Sequence, residues 1–176
     1  VAFLEVPLER VALTATELRY VVFQRARLED CRLLDDRWAH VRFLECRLPA
    51  TQLLGCRLID ADLSGALLQD VIAARSAFDE AVVAGAHLKG ATFASCSLRS
   101  VDFTAVAEPP SVLTRCDLSE SRFEALALRD VELEEATLDR AAFGGADLRR
   151  ARLTAASGVA VDFSGVRLDG ADLAGA

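Results

Sequence analysis

The sequence predicts an all-β fold of one kind, a four-sided parallel β-solenoid built from five-residue repeats. Three observations carry it. Every fifth residue from Phe3 to Leu173 belongs to a column of 35 positions, of which 30 are Leu or Phe. Two residues before each stands a second column, Val1 to Ala176, whose 36 members are Ala, Val, Cys, Ser or Thr apart from Asp36 and Leu126. Seven of the nine Phe, namely Phe3, Phe23, Phe43, Phe103, Phe123, Phe143 and Phe163, fall on a 20-residue lattice.

A period of five fits neither common element. In an α-helix five residues rotate about 500°, so successive Leu would spiral around the axis. In one long strand an odd period would turn alternate Leu to opposite faces. The chain must instead turn a corner at each repeat, with one large and one small residue directed inward on every side. The 20-residue Phe lattice sets four sides per coil and about nine coils. The other two Phe, Phe78 and Phe93, stand in the coils whose lattice site is Leu63 or Val83, so every coil holds one Phe. Ala73 adjoins Phe78 in repeat order and lies one coil from Phe93 on the same side, as volume compensation in a dense core requires. At a ladder spacing of ~4.8 Å the nine coils form a rod ~42 Å long, read as one domain over 1–176.

Composition bounds the function classes. Hydrophobic residues make up 52% with only 6% aromatics and no Met, so the core is aliphatic. Mean hydropathy is +0.26, yet charges interrupt the chain every few residues and no segment approaches the ~18 apolar residues of a spanning helix. The opening VAFLEVPLER lacks the basic flank and apolar stretch of a signal peptide, and a cytoplasmic location is expected. Residues 1–60 carry 9 acids and 9 bases, 61–120 carry 8 and 4, and 121–176 carry 10 and 7. The excess of acid argues against direct nucleic-acid binding and for a protein partner with a basic surface.

The exceptions to the pattern are few. Glu108-Pro109-Pro110 interrupts one side; an unpaired buried Glu is costly and two prolines remove ladder donors, so Glu108 is expected to point outward on a bulged side. Leu126, one coil later on that side, is expected to fill the vacated space. Asp36 and Trp38 are both nominally inward, and Asp36 either accepts the indole N–H or the side splays open. Gly158 reads as a weakened corner. All five cysteines, Cys31, Cys46, Cys56, Cys96 and Cys116, fall in the small column, where Cys acts as a small hydrophobe. Cys96 and Cys116 are neighbours in adjacent coils and are expected to stay reduced. His40 and His87 face outward on different sides. No nucleophile–base pair, metal spacing or phosphate-cradling glycine loop is visible, so no enzyme, no metal and no cofactor are expected.

The segments ADLSG (61–65), ATFAS (91–95), VDFTA (101–105), ADLRR (146–150) and ADLAG (171–175) resemble the pentapeptide-repeat family, whose consensus is Ala, Asp or Asn, Leu or Phe, then two variable residues. The resemblance spans the whole chain. It implies a right-handed quadrilateral parallel β-helix. It also implies that a protein of this kind can bind DNA gyrase as a DNA mimic, as the bacterial quinolone-resistance members do.

The unbroken register assigns outward charges to sides. The side bearing the Phe lattice carries 6 acids and 3 bases, and the next three carry 8 and 8, 5 and 4, and 8 and 5. Where the fourth and first sides meet, Asp60, Asp62, Asp79, Glu80, Asp102, Asp117 and Glu120 are expected to form an acidic edge over coils three to six, with Arg57, Arg99 and Arg115 nearby. The leading expectation is mimicry of DNA toward a type II topoisomerase, gyrase or topoisomerase IV. Its rival is a passive interaction scaffold for an unrelated protein. Duplex DNA carries one charge per ~1.7 Å, about 25 over the rod's length, against a net −7 here, so mimicry is confined to one face. The register admits no long projecting loop. The final coil is expected to expose Phe163, Leu168 and Leu173, and so to pair end to end with a second copy or to require a further cap.

Overall fold

A computed structural model describes all residues, Val1–Ala176. Its eleven strands are three residues long, because each side is only five residues and two of these make the corner. On the first side β1 (Ala2–Leu4), β4 (Val22–Gln24) and β7 (Arg42–Leu44) stack in that order. On the third, β2 (Ala12–Thr14), β5 (Arg32–Leu34), β8 (Gln52–Leu54), β9 (Ile72–Ala74), β10 (Thr92–Ala94) and β11 (Val112–Thr114) form a six-stranded ladder. On the fourth, β3 (Glu17–Arg19) pairs with β6 (Arg37–Ala39). Every strand pair is parallel and its register is a step of 20, as in Phe3↔Phe23 and Leu33↔Leu53. Counted by regular strands the longest ladder has six rungs, fewer than the nine coils the sequence predicts. Beyond β11 the 20-residue register continues as single bridges as far as Arg152↔Asp172.

The corners have a common device. Every fifth residue from Glu5 to Gly175 lies in the left-handed region, except Ala105 and Pro110. A non-glycine residue there carries a steric cost of about 1–2 kcal/mol. The cost is borne because the turn lets each side return its backbone groups to both neighbouring coils. Phe43 N–H donates to Asp62 C=O at 2.6 Å, and Asp62 N–H donates to Val41 C=O at 3.0 Å.

The two missing corner residues mark the break. At Glu108 the ladder slips by one, so that His87 faces Glu108 rather than residue 107, and Leu88 N–H donates to Glu108 C=O at 2.9 Å. The step of 20 is restored at Thr92↔Val112. Glu108 points outward as expected and meets His87, Nδ1 to Oε2 3.2 Å. Pro110 is buried, while Leu126 packs partly buried against the core. A slip that opens and closes within one side leaves the later columns in phase.

The interior is one apolar cluster of 47 residues between Val21 and Ala156. Phe rings stack along the axis, with centroid distances of 5.1 Å for Phe3–Phe23, 5.2 Å for Phe23–Phe43, 4.7 Å for Phe103–Phe123 and 4.8 Å for Phe123–Phe143. Between the two stacks Phe78 and Phe93 meet edge to face at 5.6 Å. The small column has a polar use that its reading as small hydrophobes missed. Its hydroxyls and thiols donate to the carbonyl 23 residues earlier, as Ser76 to Leu53 (2.9 Å), Ser121 to Leu98 (2.6 Å) and Cys56 to Leu33 (3.2 Å). All five cysteines are buried free thiols. Burial pushes the Cys46 and Cys56 thiols up to about 11.

Asp36 and Trp38 correct the expectation of a direct bond. The indole Nε1–H donates to Thr16 Oγ1 at 2.9 Å, and Thr16 donates through both Oγ1 (2.7 Å) and its N–H (2.6 Å) to Asp36 Oδ1. The side does not splay, since both residues are buried. Gly158 is not merely a weak corner either. A Cβ there would stand 2.9 Å from the Leu138 carbonyl carbon, so the position admits no side chain.

Candidate protein-interaction edge

The acidic edge is placed by the corner itself. Asp60, Glu80 and Glu120 occupy left-handed corner positions, with φ of 55°, 60° and 63°. Asp62 and Asp102 are the outward residues of the side that follows, and Asp79 and Asp117 lie on the side that precedes. The structure brings these residues together in pairs rather than as one continuous surface. Asp60 and Asp62 share a shallow groove with His40 and Arg42. Glu80 and Asp102 flank Val82 and Ser100. Asp117 and Glu120 border a third groove with Arg99, Asp139 and Arg140. Asp79 lines none of the three but joins two of them, its C=O accepting from Asp60 N–H at 3.1 Å and its carboxylate from Arg99 N–H at 3.0 Å.

Three of the seven have a local task. Asp62, Asp102 and Asp117 each accept the N–H two residues on, from Ser64 (3.0 Å), Thr104 (2.9 Å) and Ser119 (3.0 Å), and the hydroxyl of that same residue. This turn-closing bond is what a short acceptor side chain offers at that point. Asp162 and Asp172 make the same backbone bond outside the edge, to Ser164 and Ala174. The consensus Asp of the repeat is therefore a corner brace.

Most of the charge is also compensated. Arg42 lies 3.3 Å from Asp62, Arg122 2.9 Å from Asp102, Arg99 3.9 Å from Asp117 and Arg140 3.1 Å from Glu120. His40 Nδ1 is 3.6 Å from Asp60. Asp79 accepts from the Ser97 hydroxyl (2.5 Å) and Arg99 N–H (3.0 Å). Partial burial pushes the Asp62 carboxyl up, but the bonds from Ser64 and Arg42 outweigh it and hold the group below the usual aspartate range. Asp102 follows the same balance, burial against Thr104 and Arg122. Glu80 has neither an ion pair nor a side-chain hydrogen bond, and Asp60 has only the His40 ring beside it. Exposed pairs of this kind are worth about 0–1 kcal/mol, so a competing partner can displace them at small cost.

Sequence reasoning missed the apolar residue within this edge. Val82 is 49% exposed and stands in register after Asp62. Its column otherwise holds Arg42, Asp62, Asp102 and Arg122 here, and that contrast was the available signal. An exposed Val flanked by Glu80 and Asp102 supplies contact area where charge supplies orientation.

Comparisons with known proteins agree with this architecture. Residues 116–154 match the family model for pentapeptide repeats in eight copies. A trypsin-treated form of QnrB1, a plasmid-mediated fluoroquinolone resistance protein, superposes with a TM-score of 0.71 at 21% identity, covering 91% of this chain and 90% of that one. Full-length QnrB1 gives 0.65 at 19% identity, covering 91% and 92%. No curated protein sequence matches the chain. At these identities the likeness to QnrB1 is one of fold. Residues 116–154 carry pentapeptide repeats, and the chain as a whole shares with QnrB1 the fold of a four-sided solenoid with 20-residue coils.

Proposed function

We propose that this chain is a non-enzymatic interaction protein of the cytoplasm that engages DNA gyrase or topoisomerase IV as a partial DNA mimic and so modulates quinolone sensitivity. The observation that carries the reading is the shared solenoid course with QnrB1 over nine-tenths of both chains, combined with an acidic edge whose Glu80 is free and whose ion pairs, at Asp62, Asp102, Asp117 and Glu120, are exposed ones. The contact uses that edge, Asp60, Asp62, Asp79, Glu80, Asp102, Asp117 and Glu120, with Val82 inside it. The test is gyrase supercoiling and quinolone-stabilised cleavage with the purified protein at micromolar excess. Inhibition or protection that is lost in Glu80→Lys/Glu120→Lys supports the reading, whereas unchanged activity sinks it.

A second reading has its own support. Four of the seven edge carboxylates already face arginines of this chain, a mixed-charge surface more like a polar protein interface than a phosphate backbone. In that case the rod is a scaffold for an unrelated protein. Recovery of a non-topoisomerase partner, lost in the same double variant, selects it. Phe163 and Leu173 are 37% and 46% exposed, and an end-to-end homodimer covering them is part of the proposal. Sedimentation that gives a monomer at tens of micromolar excludes that part.

A further inference from the structure

Outward residues 20 apart stand one above the other, and several opposite charges on this rod pair in that way. Arg25 meets Glu45 at 3.7 Å, Arg115 meets Glu135 at 3.0 Å, Arg150 meets Asp130 at 2.6 Å, and the edge pairs Arg42–Asp62, Arg122–Asp102 and Arg140–Glu120 do the same. Even where two arginines are ladder partners, as Arg27 and Arg47 are, each is taken by a carboxylate beside it, Glu9 at 3.0 Å and Glu29 at 3.3 Å.

Arg37 and Arg57 differ. They are direct ladder partners on the fourth side, and neither has a carboxylate oxygen within 4.0 Å. Arg19, on the neighbouring strand one coil before, has none either. The three line one open groove of about 410 Å³ whose apolar floor includes Ala39 and Ile59. The two carboxylates on its rim do not compensate them. Glu17, although in register with Arg37, does not reach it, and Asp60 is turned toward His40. Asp36 is buried beneath, with its Oδ1 taken by Thr16 and no arginine within ion-pair distance of either oxygen. Like charges directly opposite in a ladder repel, so this is the place on the rod where a positive rung is left for something else to neutralise.

We propose that this groove is an anion site for a phosphate monoester dianion, held between the guanidinium groups of Arg37 and Arg57 with Arg19 as the third donor. Two planar forks one ladder step apart, ~4.8 Å, suit an oxyanion with several acceptor oxygens. Three positive charges favour a dianion over a single carboxylate. The site touches the acidic edge only at Asp60, and nothing in it depends on a topoisomerase partner. The phosphate can be free or carried on a serine of another protein, and the chemistry of recognition is the same.

The experiment is a thermal melt and an isothermal titration in phosphate-free buffer at constant ionic strength. Wild type, Arg37→Gln, Arg57→Gln and Arg75→Gln are titrated with inorganic phosphate, with a phosphoserine peptide and with its unphosphorylated form. Arg75 is the control because it too lacks an ion pair but belongs to the corner after β9, on another side. Saturable binding of phosphate or phosphopeptide that weakens at least tenfold in Arg37→Gln and Arg57→Gln, and is unchanged in Arg75→Gln, supports the site. The same two variants should melt higher than wild type without phosphate, because the like-charged rung is gone, and should lose the rise in Tm that phosphate gives. Tighter binding of the phosphopeptide than of phosphate identifies a protein-borne ligand, and equal binding identifies the free ion. No saturable binding, or equal weakening in Arg75→Gln, overturns the proposal.

Discussion

Phe123 offers the sharpest test of how this interior is held together. Its ring is fully buried between Phe103 at 4.7 Å and Phe143 at 4.8 Å, with interplanar angles of 9° and 5°. Phe123→Leu keeps a residue that the same column already accommodates at Leu63, so the backbone need not move. Two stacked pairs are lost at about 0.5–1.5 kcal/mol each beyond area burial. The smaller side chain adds roughly one methylene of lost packing, ~1 kcal/mol. The expected loss is therefore about 2–4 kcal/mol. Phe3 is the control: it is 37% exposed and stacks on Phe23 alone, so Phe3→Leu should cost about 1 kcal/mol or less. Urea unfolding followed by far-UV circular dichroism reads both, as a shift in midpoint at constant slope. Equal shifts for the two variants would refute the view that the stacked rings, rather than generic apolar volume, stabilise the central coils.

Three further outcomes follow from the same structure. Gly158→Leu, which restores the repeat consensus, should lower Tm rather than raise it, because its Cβ meets the Leu138 carbonyl; a rise would show that the coils can part there. Asp62, Asp102, Asp130, Glu135, Asp147 and Asp162 all titrate below their ordinary values in the folded chain, Asp147 through the Arg149 guanidinium above all. Their stabilisation is present above the unfolded-state carboxylate range, about 4, and is lost as pH falls through the lower folded values, so Tm should be flat from pH 7 to about 5 and drop below about 4. Raised salt should shrink that drop, and a Tm independent of pH down to 2 contradicts it. The five buried thiols should be silent to a disulfide reagent at pH 8 and all react in denaturant; rapid native labelling of Cys46 or Cys56 contradicts their burial and raised pKa.

The fold was legible because its core is written in two columns that each tolerate few residue types. What escaped sequence reasoning has physical causes. Trp38 reaches Asp36 only through Thr16, one coil away, and a residue so distant in sequence is found only once the register is converted into neighbours. The slip at Glu108 closes again by Val112, so the phase of the later columns carries no trace of it. Gly158 is dictated by the backbone of Leu138, and no side-chain pattern reports a backbone approach. The neutralisation of the acidic edge by arginines was readable in the sequence. Arg42 with Asp62, Asp102 with Arg122 and Glu120 with Arg140 are each 20 apart, as are Arg37 and Arg57. Side-chain chemistry between coils follows from applying the core's own period to the surface.

The slipped side has a consequence for how such a rod can change. The regular coil resists inserted residues, since any length other than 20 would rotate every later side chain off its wall. Between Ala105 and Val112 the chain already accepts a local mismatch and returns to phase, helped by two prolines that ask nothing of the neighbouring coil. This is a dislocation that heals itself within one side. It is the point at which a loop, a tag or a new binding element can be grafted while the walls above and below keep their alignment.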